Sequence, residues 1–329
     1  MHKSGLRHMA ILAAALVVLP GLAAAAEVVL YSSNPSELID LVGKGFEEKT
    51  GIKVSVVRLG TGEAMKRIAA EKDKPLCDVF WSGDVAVLEN AKENFQTYRS
   101  PEAAGLPAGY VEKDARWTAS NAHVMIIMVN KALVKEADMP KTWKDLFAPQ
   151  WKGKVVMANP EKSGSAYAQA YGIYKLYGIE GIQKLIGNAK ILDSSSLIYK
   201  GVAAGEYPLG VTMEYAAYRY KKGGSPIEVV NPAEGTVAYA EGAGIIKGAP
   251  NRENARKFMD WVTSRECRKM VLAEFLRRPA REDLDFAGLA PGMVPLSKIK
   301  LLKGYDEEYW IKKQPEVLQK VKDILLRVK

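Results

Sequence analysis

The chain has 329 residues, of which 48% are hydrophobic, and carries 47 basic and 38 acidic side chains. The apolar content and the modest net charge of +9 exclude a disordered chain, and the length suggests two domains. Two cysteines and three histidines are too few for a disulfide scaffold or a clustered zinc site. Beyond the N-terminal segment the only histidine is His123, which argues against catalysis or metal binding by histidine.

The N-terminus has the pattern of a secretory signal peptide. Lys3 and Arg7 precede an apolar run over residues 9–22, and four alanines follow at 23–26. The run is shorter than the roughly 20 residues of a membrane span, so the pattern favours cleavage over a membrane anchor. We predict that residues 1–26 are removed after Ala26, which leaves an exported, soluble chain. Loss of Lys3 and Arg7 lowers the net charge from 9 to 7.

Export would place Cys77 and Cys267 in an oxidising compartment, where they could form a disulfide. The alternative is two buried free thiols, and Cys77 lies in an apolar segment typical of a strand. The sequence favours unpaired thiols without deciding the question, because pairing depends on the distance between the two Cα atoms.

The first part of the mature chain alternates strand, polar loop and helix three times, which predicts a parallel sheet flanked by helices. Strands are predicted at 28–32, 52–59 and 79–81. Helices are predicted after Ser36, which we expect to be an N-cap, after Gly60-Thr61-Gly62, and after Ser82-Gly83-Asp84.

The remainder of the chain continues this alternation with longer elements. Strands are predicted at 124–130, 154–158, 208–214, 227–230 and 237–247, the last with a break at Gly242-Gly244. Helices are predicted at 142–147, after Ser163-Gly164-Ser165, as one long helix over 251–275, and as an amphipathic tail over 305–329. Ser194-Ser195-Ser196 is either another cleft loop or a plain helix start.

Small hydroxyl-rich loops recur where predicted strands end and helices begin. In open parallel sheets, ligands bind at the carboxyl ends of the strands, and helix N-termini there offer unpaired N–H groups to anions. Serine, threonine and glycine are also ordinary capping and turn residues, so the recurrence of the pattern predicts an anion-binding cleft more strongly than any one loop. The loops are Ser32-Ser33-Asn34, Gly60-Thr61-Gly62, Ser82-Gly83-Asp84, Ser163-Gly164-Ser165 and Glu214-Tyr215.

The order and spacing of several segments resemble a known protein family over nearly the whole mature chain. These segments are Leu30-Tyr31-Ser32-Ser33, Phe46 to Val54, Asp78-Val79-Phe80-Trp81, Pro160 to Ser165, Gly205 to Gly210, Gly244 to Asn251, and the helix from Ala255 to Trp261. The chain resembles the periplasmic solute-binding proteins of bacterial ABC importers, in the branch that binds ferric iron, phosphonates and sugar phosphates.

The resemblance implies an α/β fold of two lobes (a type II periplasmic binding protein). Each lobe has a mostly parallel sheet flanked by helices, and a hinge joins the lobes, which close on the ligand. It implies a first lobe formed by residues 27–124 and 236–295, and a second formed by 125–235 and 296–329.

The phosphonate- and sugar-phosphate-binding relatives imply that hydroxyls and helix N-termini hold the anion and that a carboxylate holds the other end of the ligand. The residues expected to hold phosphate oxygens are Ser33, Thr61, Gly62, Ser163, Gly164, Ser165 and Ala166. Glu214, with Asp84, is expected to accept hydrogen bonds from the ligand, and Tyr31, Trp81 and Tyr215 to wall the cleft. Capping is an alternative role for both acids.

The ferric-binding relatives imply two adjacent tyrosines at the position of Tyr215-Ala216, where this chain has only the first. This departure favours an organophosphate or phosphonate over iron. If iron is the ligand, an oxygen-rich site would use Tyr31, Tyr167, Tyr215 and Glu214. The alternative role of Tyr167 is packing on one helix face.

The expected protein is a monomeric, periplasmic binder that needs no cofactor and delivers its solute to an ABC permease in the inner membrane. The sequence contains no G-x-S-x-G, P-loop or H-E-x-x-H motif. An exported hydrolase using Ser163 and Lys162 is the enzymatic alternative, and a ligand sensor for a membrane kinase is a second. Scattered basic residues and export argue against nucleic-acid binding.

Overall fold

The structure is a computed structural model that describes residues 26–107, 109–302 and 307–328. The predicted signal peptide lies, apart from Ala26, outside the described residues. The strands are β1 (Glu27–Ser32), β2 (Lys53–Arg58), β3 (Val79–Asp84), β4 (Thr118–Asn130), β5 (Val155–Ala158), β6 (Ala189–Leu192), β7 (Leu209–Met213), β8 (Ile227–Val230) and β9 (Ala238–Ile245).

The helices alternate with these strands, as the sequence predicts. They are α1 (Ser36–Thr50), α2 (Thr61–Ala70), α3 (Val85–Asn90), α4 (Gly164–Asn188), α5 (Ser195–Ala203), α6 (Glu214–Lys222), α7 (Arg252–Thr263), α8 (Arg265–Phe275), α9 (Phe286–Leu289) and α10 (Glu307–Val328). Short 3-10 turns lie at Lys92–Asn94, Pro101–Gly105, Glu136–Asp138, Lys144–Phe147, Pro149–Trp151 and Leu296–Lys298. Among the described residues, no helix is long and apolar enough to cross a bilayer.

The strands are joined in the order β2-β1-β3-β9-β4-β7-β5-β6, with β8 also paired to β4. Pairing is parallel for β1 with β2 and β3, and for β5 with β6 and β7. Every pairing that involves β4 or β9 is antiparallel. The α/β architecture predicted from the sequence is therefore confirmed, with antiparallel strands at its centre.

Strand β4 changes its partners halfway along. Residues 118–124 pair with β9, whereas residues 125–129 pair with β7. One long strand thus joins a sheet half built on β1–β3 to a half built on β5–β7. The change of partner falls at the boundary predicted for the two lobes, although the lobe assignment itself stays a prediction.

Several local predictions were wrong in detail. Ser36 is the first residue of α1 and not its cap, because Pro35 occupies the N-cap position. Residues 82–84 continue β3 across a bulge in its pairing with β9, and do not form a separate loop. The Gly242-Gly244 segment does not break β9, because both glycines let neighbouring groups approach closely. A Cβ on Gly242 would lie 2.7 Å from the Thr118 carbonyl oxygen.

The long helix predicted over 251–275 is two helices. Ser264 is extended, with φ −63° and ψ 153°, and its hydroxyl accepts the Cys267 N–H to start α8. Both helices keep an apolar face towards the core, so the helical period continues across the break and hides it from sequence inspection. Ser264 was the one sequence feature that could have predicted the break, because serine is a common N-cap residue.

The C-terminal helix α10 packs against α4 and α3. Its apolar residues Val317, Val321 and Ile324 are buried, and Gln314 accepts a hydrogen bond from Asn90 at the end of α3. Because α3 follows β3 and α4 follows β5, the tail contacts both halves of the molecule. This agrees with the surface helix predicted from the amphipathic pattern.

Both cysteines are buried free thiols, as the sequence favoured. Burial, together with the nearby carboxylates of Glu71 and Asp78, raises the pKa of the Cys77 thiol to about 12. Burial also raises the pKa of Cys267, although the Arg268 guanidinium opposes this shift. The thiolate is the reactive form, so neither side chain is prepared for disulfide exchange.

We expect both thiols to stay unmodified by a thiol-reactive dye in the native protein at pH 8. Both should react completely after unfolding in guanidinium, because unfolding restores solvent access and ordinary pKa values. Absorbance of the released dye, read before and after unfolding, measures this. Dye reaction at native conditions faster than unfolding would contradict the burial of these thiols.

Candidate functional site

A cavity of about 720 Å³ opens where the carboxyl ends of β1, β2, β3, β5, β6 and β7 face one another. This volume is within the roughly 300–1,000 Å³ of small-ligand clefts. Its inner wall carries Ser33, Thr61, Ser82, Asp84, Ser163, Gly164, Ser165, Ser195, Tyr199, Met213, Tyr215, Tyr239, Glu241 and Arg277. Its mouth carries the exposed Arg58, Glu63, Lys66, Glu161, Lys162 and Asp193.

One wall of the cavity presents three clustered hydroxyls. Ser33 Oγ lies 3.0 Å from Thr61 Oγ1, 3.1 Å from Ser82 Oγ and 2.9 Å from the Ser82 carbonyl oxygen. Ser82 has φ 98°, in the left-handed region, at the bulge of β3. Such strain in a non-glycine residue is typical of functional sites, and here it places the Ser82 backbone against Ser33.

The opposite wall presents a second set of three hydroxyls. Ser163 Oγ lies 3.0 Å from Ser165 Oγ and 2.7 Å from Ser195 Oγ, and Ser165 and Ser195 are 2.6 Å apart. Ser163 caps α4, while Ser195 is the first residue of α5. The positive ends of two helix dipoles and three rotatable hydroxyls therefore meet at one place, which suits an anion.

The two walls touch at the edge of the cavity. A Cβ on Gly62 would lie 2.7 Å from the Glu161 carbonyl oxygen, and one on Gly60 would lie 3.1 Å from that of Lys162. The loop after β2 is therefore in contact with the loop after β5, and larger residues at Gly62 would push them apart. The glycines allow these two loops to approach each other at the edge of the cavity.

A buried ion pair lies in the cavity wall. Arg277 Nη1 donates to both Glu241 oxygens at 3.1 and 3.3 Å and to Asn34 Oδ1 at 2.7 Å. Arg277 Nη2 donates to the Tyr215 hydroxyl at 3.1 Å, and the guanidinium lies 4.4 Å from the Tyr215 ring centroid. Both charged side chains are at most 6% exposed.

His123, on β4 behind this wall, contacts Glu241 through Nε2 at 2.8 Å. Burial lowers the pKa of His123, so its imidazole is neutral at neutral pH and donates its one N–H to the carboxylate. Burial alone raises the pKa of Glu241, but the charge of Arg277 and the hydrogen bonds to the carboxylate outweigh it and lower the pKa to about 2. Glu241 is therefore ionised at physiological pH.

Three tyrosines line the cavity. The ring centroids of Tyr199 and Tyr215 are 6.3 Å apart, and the His123 ring lies between Tyr215 and Tyr239 at 5.5 and 5.4 Å. Burial raises the pKa of Tyr199 and of Tyr239 well above its usual value. These two side chains are therefore protonated phenols that donate or accept hydrogen bonds, and not phenolates.

The structure brings most of the predicted ligand-binding residues into this cavity. They are Ser33, Thr61, Gly62, Asp84, Ser163, Gly164, Ser165 and Tyr215. Asp84 also accepts the Ala86 N–H and so caps α3, which was its predicted alternative role. The structure reaches this arrangement because each residue lies at or just after the carboxyl end of a strand.

Five predicted residues lie outside the cavity, and four of them have packing or local hydrogen-bonding roles. Tyr31 turns away and donates its hydroxyl to Glu71, at 2.9 Å. Trp81 packs edge-on against Phe258 at 5.9 Å, in the core behind β3. Ala166 is fully buried and donates its N–H to Ser163 Oγ at 3.4 Å, and Tyr167 is buried at 1% exposure beside Tyr171. Packing, the alternative for Tyr167, is what the structure shows.

Glu214 is also outside the cavity, which corrects its predicted role as ligand acceptor. It is 2% exposed and forms a two-fold hydrogen-bonded ion pair with Arg278, with N–O distances of 2.8 and 3.0 Å. Burial raises the pKa of Glu214, and the charge of Arg278 opposes the shift. Glu214 therefore ties α6 to the segment after α8.

The enzymatic alternative is not supported by the positions of its two residues. Lys162 Nζ is exposed and bonds Asp193 at 2.7 Å, while Ser163 Oγ contacts Ser165 and Ser195. The side chains of Ser163 and Lys162 thus have separate partners.

Arg277 and Glu241 line the cavity, although the sequence analysis did not single them out. Arg277 follows Leu276, whose left-handed φ of 53° ends α8 and turns the chain into an extended segment alongside β4. Successive residues of that segment point to opposite sides, so Arg277 reaches the cavity and Arg278 reaches Glu214. The sequence feature that could have revealed Glu241 is its position as a single acid within an apolar strand, because a buried charge needs a partner.

Comparison with known proteins places the chain in a family. Residues 74–306 match the family described as bacterial extracellular solute-binding protein. An uncharacterized protein of Haemophilus influenzae is 31% identical over 278 residues, covering 80% of each chain. Iron uptake protein A1 of Synechocystis is 27% identical over 261 residues, which cover 72% of this chain and 71% of that protein.

A solved structure is similar over nearly the whole chain. It is the periplasmic binding protein AfuA of Actinobacillus pleuropneumoniae with fructose 6-phosphate bound, 27% identical, with a TM-score of 0.84. The match covers 91% of this chain and 98% of AfuA. The chain therefore belongs to the bacterial extracellular solute-binding proteins. It is a periplasmic substrate-binding component of an ABC importer and not an enzyme.

Proposed function

We propose that the protein captures a small organophosphate or phosphonate between two lobes and delivers it to its permease. The observation that carries this proposal is the convergence of six hydroxyls and the N-termini of α2, α4 and α5 on one cavity with Arg277 in its wall. Hydroxyls, backbone N–H groups and a guanidinium are the donors that phosphate oxygens require.

The two sides of the cavity suggest a ligand with a phosphate end and a polar end. Ser163, Ser165 and Ser195 offer donors at two helix starts, while Asp84 adds a carboxylate in the same cavity. A carboxylate repels a second anionic group and accepts from hydroxyl or ammonium groups. This chemistry fits a sugar phosphate, as in AfuA, or an aminoalkylphosphonate.

Ferric iron is the second candidate, because iron uptake protein A1 is among the relatives. Of the four expected iron ligands only Tyr215 lines the cavity, since Tyr31, Tyr167 and Glu214 have partners elsewhere. In the part of the chain that the structure describes, no cluster of three or more His, Cys, Asp or Glu is placed to hold a metal. These features favour the organophosphate.

We further propose that the chain acts as a monomer after removal of residues 1–26, and that its lobes are residues 27–124 with 236–295 and residues 125–235 with 296–329. The change of partners along β4 and the contact between the loops at Gly62 and Glu161 support two lobes that close on a ligand. N-terminal sequencing of the exported protein, expected to start at Glu27, tests the cleavage.

We expect fructose 6-phosphate, glucose 6-phosphate or 2-aminoethylphosphonate to raise the melting temperature of the protein. A ligand at 100 times its Kd adds about 2.7 kcal/mol to the free energy of unfolding, since it binds only the folded state. Differential scanning fluorimetry with these compounds, inorganic phosphate and Fe(III) measures the shift. The double variant Ser165→Ala/Ser195→Ala should lose most of it.

Two controls make this result specific. Unphosphorylated fructose should give no shift, and Ser264→Ala, which removes a capping serine that does not line the cavity, should lower the melting temperature while keeping the ligand shift. A shift with Fe(III) alone, together with a visible phenolate absorption band, would overturn the organophosphate proposal and support iron.

A further inference from the structure

A buried hydrogen-bond network connects the cavity to the long strand β4. We call it the Glu241 network; it consists of Asn121 and His123 on β4, Glu241 on β9, and Arg277. Glu241 and Arg277 line the cavity, whereas His123 lies behind them at 1% exposure. His123 therefore has no contact with the cavity except through its neighbours.

The carboxylate of Glu241 is fully engaged by the protein. Oε1 accepts from Asn121 at 3.1 Å and from Arg277 at 3.1 Å, while Oε2 accepts from His123 at 2.8 Å. Oε2 also lies 3.3 Å from Arg277 Nη1 and 3.4 Å from Ser82 Oγ. A carboxylate has about four acceptor positions, so Glu241 has no strong position left for a ligand.

Glu241 instead acts on Arg277. Asn34, Glu241 and Tyr215 hold the two terminal nitrogens of Arg277, and its Nε is a buried donor for which the described residues provide no acceptor. The guanidinium is thus clamped in one orientation at the wall. If the Glu241 carboxylate rotated away, Nη1 would keep only its hydrogen bond to Asn34, and the guanidinium would be held less firmly in this orientation.

The neutral state of His123 suits this role. The charged and titratable groups facing His123 are Glu241 and Tyr239 from β9, Tyr215 from α6, and Arg277. A neutral imidazole fixes the carboxylate by one N–H without cancelling its charge, which stays available to Arg277. A cationic side chain at this position would compete with Arg277 for the same carboxylate.

We propose that His123 is a positioning residue of the ligand site: its hydrogen bond to Glu241 holds Arg277 in the orientation that binds the anionic group of the ligand. This inference rests on the proposed function. It assigns a role in binding to His123, whose alternative role is that of a buried core histidine with a purely structural hydrogen bond.

The test compares His123→Gln with His123→Leu in the full-length chain. Glutamine retains an N–H donor for Glu241, whereas leucine has similar volume and no donor. With fructose 6-phosphate as the probe in isothermal titration calorimetry, the glutamine variant should keep its affinity within about threefold of the wild type. The leucine variant should lose about tenfold or more, as expected for a lost hydrogen bond to a charged group.

A second measurement does not depend on either variant being well folded. The 13C-labelled His123 ring of the wild type gives an NMR signal that is assigned by its absence from His123→Gln. We expect it to show the Nε2–H tautomer, to have a pKa lowered by burial, and to shift when fructose 6-phosphate binds. The Glu241→Gln variant should lose that response, because the connection to Arg277 is weakened.

The outcomes separate this inference from the function on which it rests. Two outcomes would overturn the positioning role alone, provided that the wild type binds the ligand. One is equal affinity of the glutamine and leucine variants, and the other is a His123 NMR signal that does not shift when the ligand is added. A wild-type chain that binds no phosphate or phosphonate probe would overturn the proposed function, and the positioning role with it.

Discussion

Replacing Glu214 by alanine is expected to lower the free energy of unfolding by about 3 kcal/mol and to leave ligand affinity nearly unchanged. Among the residues that the structure describes, Glu214 is the one carboxylate paired with Arg278, whose side chain is 6% exposed, so the substitution leaves a buried charge without its counter-ion. Breaking a buried pair in this way costs about 3–5 kcal/mol. Guanidinium unfolding curves measure the loss, and calorimetry with fructose 6-phosphate measures the affinity.

A matched control is available on the surface. Glu253 lies in the first turn of α7 and pairs with Arg256 at 2.9 Å, but its side chain is 72% exposed. Glu253→Ala should cost a small fraction of the loss expected for Glu214→Ala, since exposed pairs contribute little. In addition, the double variant Glu214→Leu/Arg278→Leu should recover part of the stability. An affinity loss larger than the stability loss in Glu214→Ala would restore Glu214 as a ligand residue.

Replacing Arg277 by glutamine is expected to weaken binding of fructose 6-phosphate by about 100-fold, or about 2.8 kcal/mol. Arg277 is the buried cation of the cavity wall, where low solvent access strengthens its attraction for an anion. Glutamine keeps some donor capacity and removes the charge and the fork geometry. Calorimetry at fixed ionic strength measures the effect, which should exceed that of Arg58→Gln at the exposed mouth.

The Arg277→Gln variant also leaves Glu241 without its buried counter-ion, so a stability loss is expected beside the loss of affinity. The double variant Arg277→Gln/Glu241→Gln removes both charges and should regain stability while binding as weakly as the single variant. If the double variant binds like the wild type, Arg277 does not hold the ligand, and its role is limited to balancing Glu241.

The hydroxyl-rich part of the site was predictable because its signals are local. Thr61 and Ser163 follow predicted strands and stand where helices begin, and parallel strands bring such positions to one edge of a sheet. Two or three adjacent residues are enough to identify each loop as small and hydroxyl-rich. For these residues, predicting the element order was sufficient to predict their meeting in a cavity.

The orientation of single strand residues was less predictable. Tyr31 and Trp81 stand in β1 and β3, next to cavity residues, yet their rings pack into the core on the other side. Successive side chains of a strand face opposite sides, so one step in register exchanges a cleft position for a core position. The sequence does not settle which side faces the cleft when both flanking layers are apolar.

The sequence by itself determined the α/β alternation, the hydroxyl loops and the family resemblance, since each depends on periodicity or on residues that are neighbours in the chain. The tertiary structure alone decided that Glu241, and not Glu214, lies in the cavity wall. Glu214 is paired to Arg278 across 64 residues, and Glu241 is paired to Arg277 across 36. A buried charge is stable only when it is paired, and its counter-ion can come from any part of the chain that the fold brings close. The residues adjacent to it in sequence therefore do not predict its partner.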